Sequence, residues 1–287
     1  MQKRSRLNSD VKLRAMPLES VPTNASPVGR LLKHWRHVRR QSQLTLSLEA
    51  GVSPRHLGFI EVGRAKPSRE MVLTLATALD VPLRERNDLL LAAGFAPMYH
   101  ETGLSEPAMA QARRALDSIL RQQEPFPAVV MDRYWNILLT NDAAPRFFGL
   151  FVDLGAEPAP ANVLRLMFDP AKLRPFVQNW EAVAEALIHR VHREAVGGAP
   201  DTRTAALLEE LLSYPGVPRH WQVPDLTAVS LPFLPVEFRT TEQTMRFFST
   251  VTTLGTPQDI TLQEIRIECF FPGDLYTEKR ARDLAAR

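Results

Sequence analysis

Between Val28 and Gly94 the apolar residues fall into five short runs at helical spacing, each closed by a stop signal. Leu31, Leu32, Trp35 and Val38 form the first run. Ser42 offers a cap for a second built on Leu44, Leu46 and Leu48, which ends at Ala50-Gly51. Ser53 and Pro54 open a third with Leu57 and Ile60 inward, and Gly63 ends it. Ser68 caps a fourth running through Met71, Leu75 and Leu79, and a fifth covers Leu83 to Ala93. The pattern predicts an all-α domain of about five helices over 28–97, preceded by a disordered basic arm over 1–27 in which Met16 is an alternative start. A linker and connecting helix are expected over 98–123. From 124 the period changes. Phe126–Met131 and Tyr134–Thr140 alternate as a hairpin, helices follow near 141–148, 162–193 and 202–212, and strands return at Leu231–Thr240, Thr244–Leu254 and Leu262–Phe271. This predicts an α+β domain over 124–275 with an antiparallel five-stranded sheet, then a tail over 276–287.

The tight link Ala50-Gly51-Val52-Ser53 makes the second and third helices a helix-turn-helix with the third helix's N-terminus outward. With Leu57 and Ile60 inward, Arg55, His56 and Phe59 are left to read base edges. Ser53, Arg64, Lys66 and Ser68 suit phosphates. Charge agrees with this placement. Residues 1–27, 28–70 and 71–287 carry net charges of +3, +6 and −6, so the basic footprint of a double-stranded DNA partner sits in the first quarter of the chain. Arg30, Lys33, Arg36, Arg39 and Arg40 read as one positive face of the first helix.

Trp35 through Pro97, with Ser42-Gln43, Ala50-Gly51-Val52-Ser53 and Glu61-Val62-Gly63-Arg64-Ala65-Lys66-Pro67-Ser68, resembles the Xre or lambda-repressor-like helix-turn-helix family. The resemblance implies that Gln43 holds a backbone phosphate and that the third helix enters the major groove. In the second half, the strand and helix order is that of a PAS-type sensor. Met131-Asp132-Arg133-Tyr134-Trp135-Asn136, Asn141, Asn162 to Pro170 and Asn179-Trp180-Glu181 resemble the C-terminal ligand-binding domain of the MmyB-like transcription regulators. That resemblance implies a PAS-like, ligand-responsive domain.

A pocket between such a sheet and its helices would be lined by Trp135, Leu139, Phe147, Leu164, Phe168, Phe176, Trp180, Phe247 and Phe271, which implies a small apolar guest. An acyl chain or similar lipid-like molecule is the favoured class, a fatty acid included, with Arg146, Arg165 or Arg174 as carboxylate anchors. The competing reading is that these side chains only fill a core. No nucleophile elbow, phosphate loop or paired metal motif is present, so neither an enzyme nor a metal site is expected. Cys269 on an alternating strand reads as a buried, inert thiol. No apolar run approaches the roughly 20 residues of a membrane span, so no membrane insertion is expected. One cysteine also fits a reducing bacterial cytoplasm. The function expected is a sequence-specific, ligand-responsive, homodimeric DNA-binding regulator. The alternative is an antitoxin-like adaptor with a ligand-free PAS-like domain.

Overall fold

The computed structural model describes residues 26–196, 201–222, 234–242 and 244–286. The arm expected over 1–27 lies outside these except for its last two residues. Ser26 and Pro27 belong to the first helix, since the Ser26 hydroxyl accepts from the Gly29 N–H and Pro27 stands at the first helical position.

Helices α1 (Pro27–Val38), α2 (Gln43–Glu49), α3 (Pro54–Glu61), α4 (Arg69–Ala78) and α5 (Leu83–Ala92) enclose a core of Leu32, Trp35, Leu46, Leu57, Ile60, Leu75 and Leu89. Ser42, Ser53 and Ser68 each accept from the backbone N–H three residues on, so all three caps form as the sequence predicts. Each such cap contributes about 1 kcal/mol to its helix. Gly29 has a different task. A Cβ there would stand 2.5 Å from the Ile60 carbonyl oxygen, so α1 and α3 cross where only glycine fits.

The second domain begins earlier than its first strand. Helix α6 (Ala110–Gln122) buries Leu116 and Leu120 against the sheet, so the segment expected to connect domains is part of the second core. The sheet consists of β1 (Ala128–Met131), β2 (Ile137–Thr140), β3 (Val236–Arg239), β4 (Thr244–Thr252) and β5 (Arg266–Pro272), antiparallel throughout in the order β2-β1-β5-β4-β3. The expected fold is therefore the observed one: a helical N-terminal domain and an α+β domain on five antiparallel strands. Two boundaries move. Residues 262–264, expected at the head of the last strand, belong to the short helix α11 (Ile260–Glu264). The expected tail is helix α12 (Leu275–Ala285), which buries Thr277 and Ala281 and whose Thr277 hydroxyl accepts from the Arg246 N–H of β4. Of the strand expected over Leu231–Thr240, residues 231–233 lie outside the described residues.

Helices α7 (Ala143–Phe148), α8 (Val163–Phe168), α9 (Trp180–Val196) and α10 (Thr202–Ser213) cover the sheet face opposite α6. Along β5 the alternation sends Ile267 and Cys269 toward α6 and Phe270 toward α7–α10. Asparagines and one aspartate join the pieces. Asn141 ties the start of β1 to α6 and α7, accepting from the Ala128 and Ala144 N–H groups and donating to the Phe126 carbonyl. Asp132 holds the β1–β2 turn by accepting from the Tyr134 and Asn136 N–H groups, and Asn162 caps α8 while donating to the Tyr134 carbonyl of that turn.

Charged groups join the two domains. Glu264 accepts from Arg84 of α5 at 2.8 Å and from Arg133 of the β1–β2 turn at 2.9 Å. Arg84 also pairs with Glu101, and Arg133 with Glu85 and Asp201. Burial draws the Arg133 pKa down, but the facing charges of Glu264 and Glu85 outweigh it and hold the guanidinium charged. The Arg84 hydrogen bond lowers the Glu101 carboxyl below the ordinary glutamate range.

Candidate functional site

The outward edge of the helix-turn-helix is the α2–α3 pair with the loop that follows it. Arg55 is exposed on the first turn of α3 with its guanidinium 5.3 Å from the Phe59 ring centre, so two of the three side chains expected to read bases lie together. Phe59 and the third, His56, are half-buried. Arg64, Lys66 and Ser68 are exposed on the loop and at the cap of α4. The hydroxyls of Ser53 and Ser68 already accept from the helix N–H groups they cap, at 3.2 Å each. Both still mark helix N-termini, where free N–H groups favour an anion.

Behind this edge lies a buried network that sequence reasoning missed. Arg36 donates to both carboxylate oxygens of Glu61, at 2.7 and 2.9 Å, and to the Gln41 carbonyl. The Arg36 and Glu61 side chains are only 9% and 2% exposed, so this is an internal ion pair. Gln43 donates its amide to Glu61 at 2.7 Å and lies across Gly58 of α3. One amide hydrogen of Gln43 is thus spent inside, and the side chain links α2 to α3. The positive face expected of α1 is accordingly smaller than its sequence suggests. Arg36 is buried, and Arg39 donates to the Leu79 carbonyl and pairs with Asp80. The signal for this pair was the Glu61 side chain next to the core residue Ile60.

In the second domain the residues expected to line one pocket divide between two faces. Phe147, Leu164, Phe168, Trp180, Phe247 and Trp135 share the core under α7–α10, and Phe176 packs at its edge against Phe151 at 5.3 Å. Leu139 and Phe271 lie on the other face with α6. The reason is local for Leu139. A register shift in the β1–β2 ladder pairs Val130 with Leu139 and Met131 with Ile137, so Leu138 and Leu139 point the same way and the simple two-residue alternation fails. Phe271 follows Cys269 in parity and stacks on Phe248 at 5.3 Å.

A cavity of about 70 Å³ remains between sheet and helices, with walls that include Trp135, Phe148, Leu166, Met167 and Phe238. It is well below the several hundred Å³ of typical drug-sized sites. None of the three expected anchor arginines borders it. Arg146 pairs with Glu124 at 2.7 Å and Arg165 with Glu210 at 2.7 Å. Arg174 donates to the Pro215 carbonyl and lies 3.7 Å from the Trp180 ring centre. Leu139 instead borders an open cleft of about 420 Å³ beside the domain junction, where Arg133, Tyr134, Arg203 and Glu264 stand. Cys269 is buried, and burial pushes its thiol up, away from the reactive thiolate. Among the described residues no helix is long and apolar enough to cross a membrane, and no group of His, Cys, Asp or Glu is placed to hold a metal ion.

Comparison with known proteins bears on both domains. A helix-turn-helix family model matches residues 38–86, and the family described as the MmyB-like transcription regulator ligand binding domain matches residues 112–284. No curated protein sequence matches the chain. Among solved structures, the restriction-modification controller protein C.AhdI from Aeromonas hydrophila is 34% identical over 21% of this chain and 92% of its own, with a TM-score of 0.21. An RNA-binding light-oxygen-voltage receptor is 13% identical over 90% of this chain and 62% of its own, with a TM-score of 0.27. The second family model spans well over half of the chain, and a DNA-binding domain stands in front of it. The chain belongs to the MmyB-like transcription regulators.

Proposed function

We propose that this transcription regulator binds specific double-stranded DNA sequences as a homodimer and responds to a small apolar ligand held in the cavity of its C-terminal domain. Exposed Arg55 with the half-buried Phe59 beside it on α3, flanked by Arg64 and Lys66, carries the DNA reading. A guanidinium on the first turn of a groove-facing helix suits bidentate contact with guanine, whereas the loop cations suit phosphates. A second copy supplies the second half-site that one small module lacks. The apolar cavity between sheet and helices supports the ligand reading, and its small size favours a small guest over a long acyl chain.

Competition binding on a selected operator tests the division of roles. Arg55→Ala is expected to cost about 1–3 kcal/mol and to relax preference at one base position. Arg64→Ala is expected to weaken specific and random DNA alike and to lower the salt slope by about one. Equal loss of specificity from both changes would contradict the assignment. Affinity that ignores salt would favour the adaptor reading, and a monomer by sedimentation on operator DNA would remove the dimer.

A further inference from the structure

Glu268 of β5 borders the apolar cavity, and among the described residues lining it no other side chain ionises. Its ladder partner on β4 is Val251, and the Ser249 hydroxyl two residues along that strand favours its charged form. The nearby cation Arg190 pairs with Glu194 at 3.3 Å and lies 4.7 Å from the Trp135 ring centre. Arg266, the next cation on β5, is likewise held by Glu194 and lies 5.4 Å from the Trp135 ring centre. Among the described residues Glu268 therefore has no salt bridge of its own; it is half-buried, and the partial loss of hydration pushes its carboxyl above the ordinary glutamate range. A carboxyl group kept in an apolar wall costs free energy that a bound cation can return. The neighbouring rings of Phe148, Phe238 and Phe270 add aromatic surface that can attract a cation.

We propose that the ligand of this cavity is a small apolar molecule ending in a protonated amine, with Glu268 as its counter-ion. The proposal rests on the reading of this cavity as the ligand site. A carboxylate guest would meet Glu268 as a like charge, and the three arginines that could have received it are committed to Glu124, Glu210 and the Pro215 carbonyl.

Calorimetric titration of the full chain at pH 7 with toluene, benzylamine and benzoate separates the two readings. Benzylamine is expected to bind about tenfold or more tighter than benzoate. Glu268→Gln should bring benzylamine to the level of toluene while toluene binding stays unchanged, which also reports that the variant is folded. Should Glu268→Gln fail to fold, Glu268→Met is expected to give the same loss of preference. Benzoate binding as tightly as benzylamine, or a preference for the amine that survives in the variant, would overturn the proposal. Toluene binding without any preference for the amine would overturn it and leave the apolar site standing. Failure of all three probes to bind would remove both.

Discussion

Each domain takes a glutamate out of water, Glu61 almost completely and Glu268 in part, and the two are treated in opposite ways. Glu61 receives Arg36 at two points and Gln43 at a third, so its charge is matched by donors from α1 and α2. Glu268 has one serine hydroxyl and a row of aromatic and aliphatic neighbours. A carboxylate satisfied from within the fold fixes where helices sit, whereas one left short of donors holds unspent capacity for something from outside. The lesson is to ask of a buried charge what completes it, since burial alone does not separate scaffold from site.

The largest expected effect lies with the matched pair. Glu61→Ala strands the Arg36 guanidinium and should destabilise the helical domain by about 3–5 kcal/mol in denaturant unfolding. Replacing both partners together, with Arg36→Met and Glu61→Leu, should restore most of the loss. A single-variant cost below about 1 kcal/mol would break the comparison, because the pair would then be incidental.

The lone carboxyl is expected to show the reverse sign. Glu268→Leu removes a poorly solvated group and fills part of the cavity, so it should stabilise the second domain by about 1 kcal/mol. The pH dependence sharpens this. A carboxyl whose folded pKa is raised binds its proton more tightly in the folded state, so its contribution is full below the ordinary glutamate range and is lost as pH rises through the folded value. Thermal midpoints of the parent should therefore decline across that interval relative to Glu268→Leu. A parent that gains stability there would reverse the assignment.

The domain junction stands between these extremes, with Arg84 about 29% exposed. Arg84→Ala should cost no more than about 1 kcal/mol because solvent screens part of the interaction. Glu101 on the same arginine has a lowered pKa, so its share of the docking is present at neutral pH and is lost in acid as the pH falls through that lowered value. Hydrogen exchange of α5 and α11 as the pH is lowered would report the loosening, and unchanged protection in the Arg84→Ala protein would argue that apolar contacts hold the domains instead.

Local rules explain what could be read from the chain. The serine caps, the glycine stops and the five apolar runs of the first domain act within a few residues, and they form where their spacing predicts. The five strands were legible for the same reason. Non-local pairing was not. Arg36 meets Glu61 from 25 residues away, and in sequence it looked like one more solvated cation on α1. Leu139 took the wrong face because the register shift depends on the partner strand. Glu268 alternates with Ile267 and Cys269 as a solvent-facing residue would, but helices cover both faces of this sheet, so it is half-buried and borders a cavity. The three arginines found carboxylates or carbonyls closer than the cavity.

Trp135 carries a consequence beyond its place in the wall. Its backbone lies in the left-handed region at φ 66°, a conformation that costs a bulky residue about 1–2 kcal/mol and persists only where neighbours over-determine it. Its ring borders the cavity, and two residues earlier in the same turn Arg133 reaches the carboxylates that join the domains. The wall of the cavity and the latch on the helical domain are thus set by the dihedral angles of one tight turn, and under the proposed reading a guest that pushes on the indole would work on a spring already under tension.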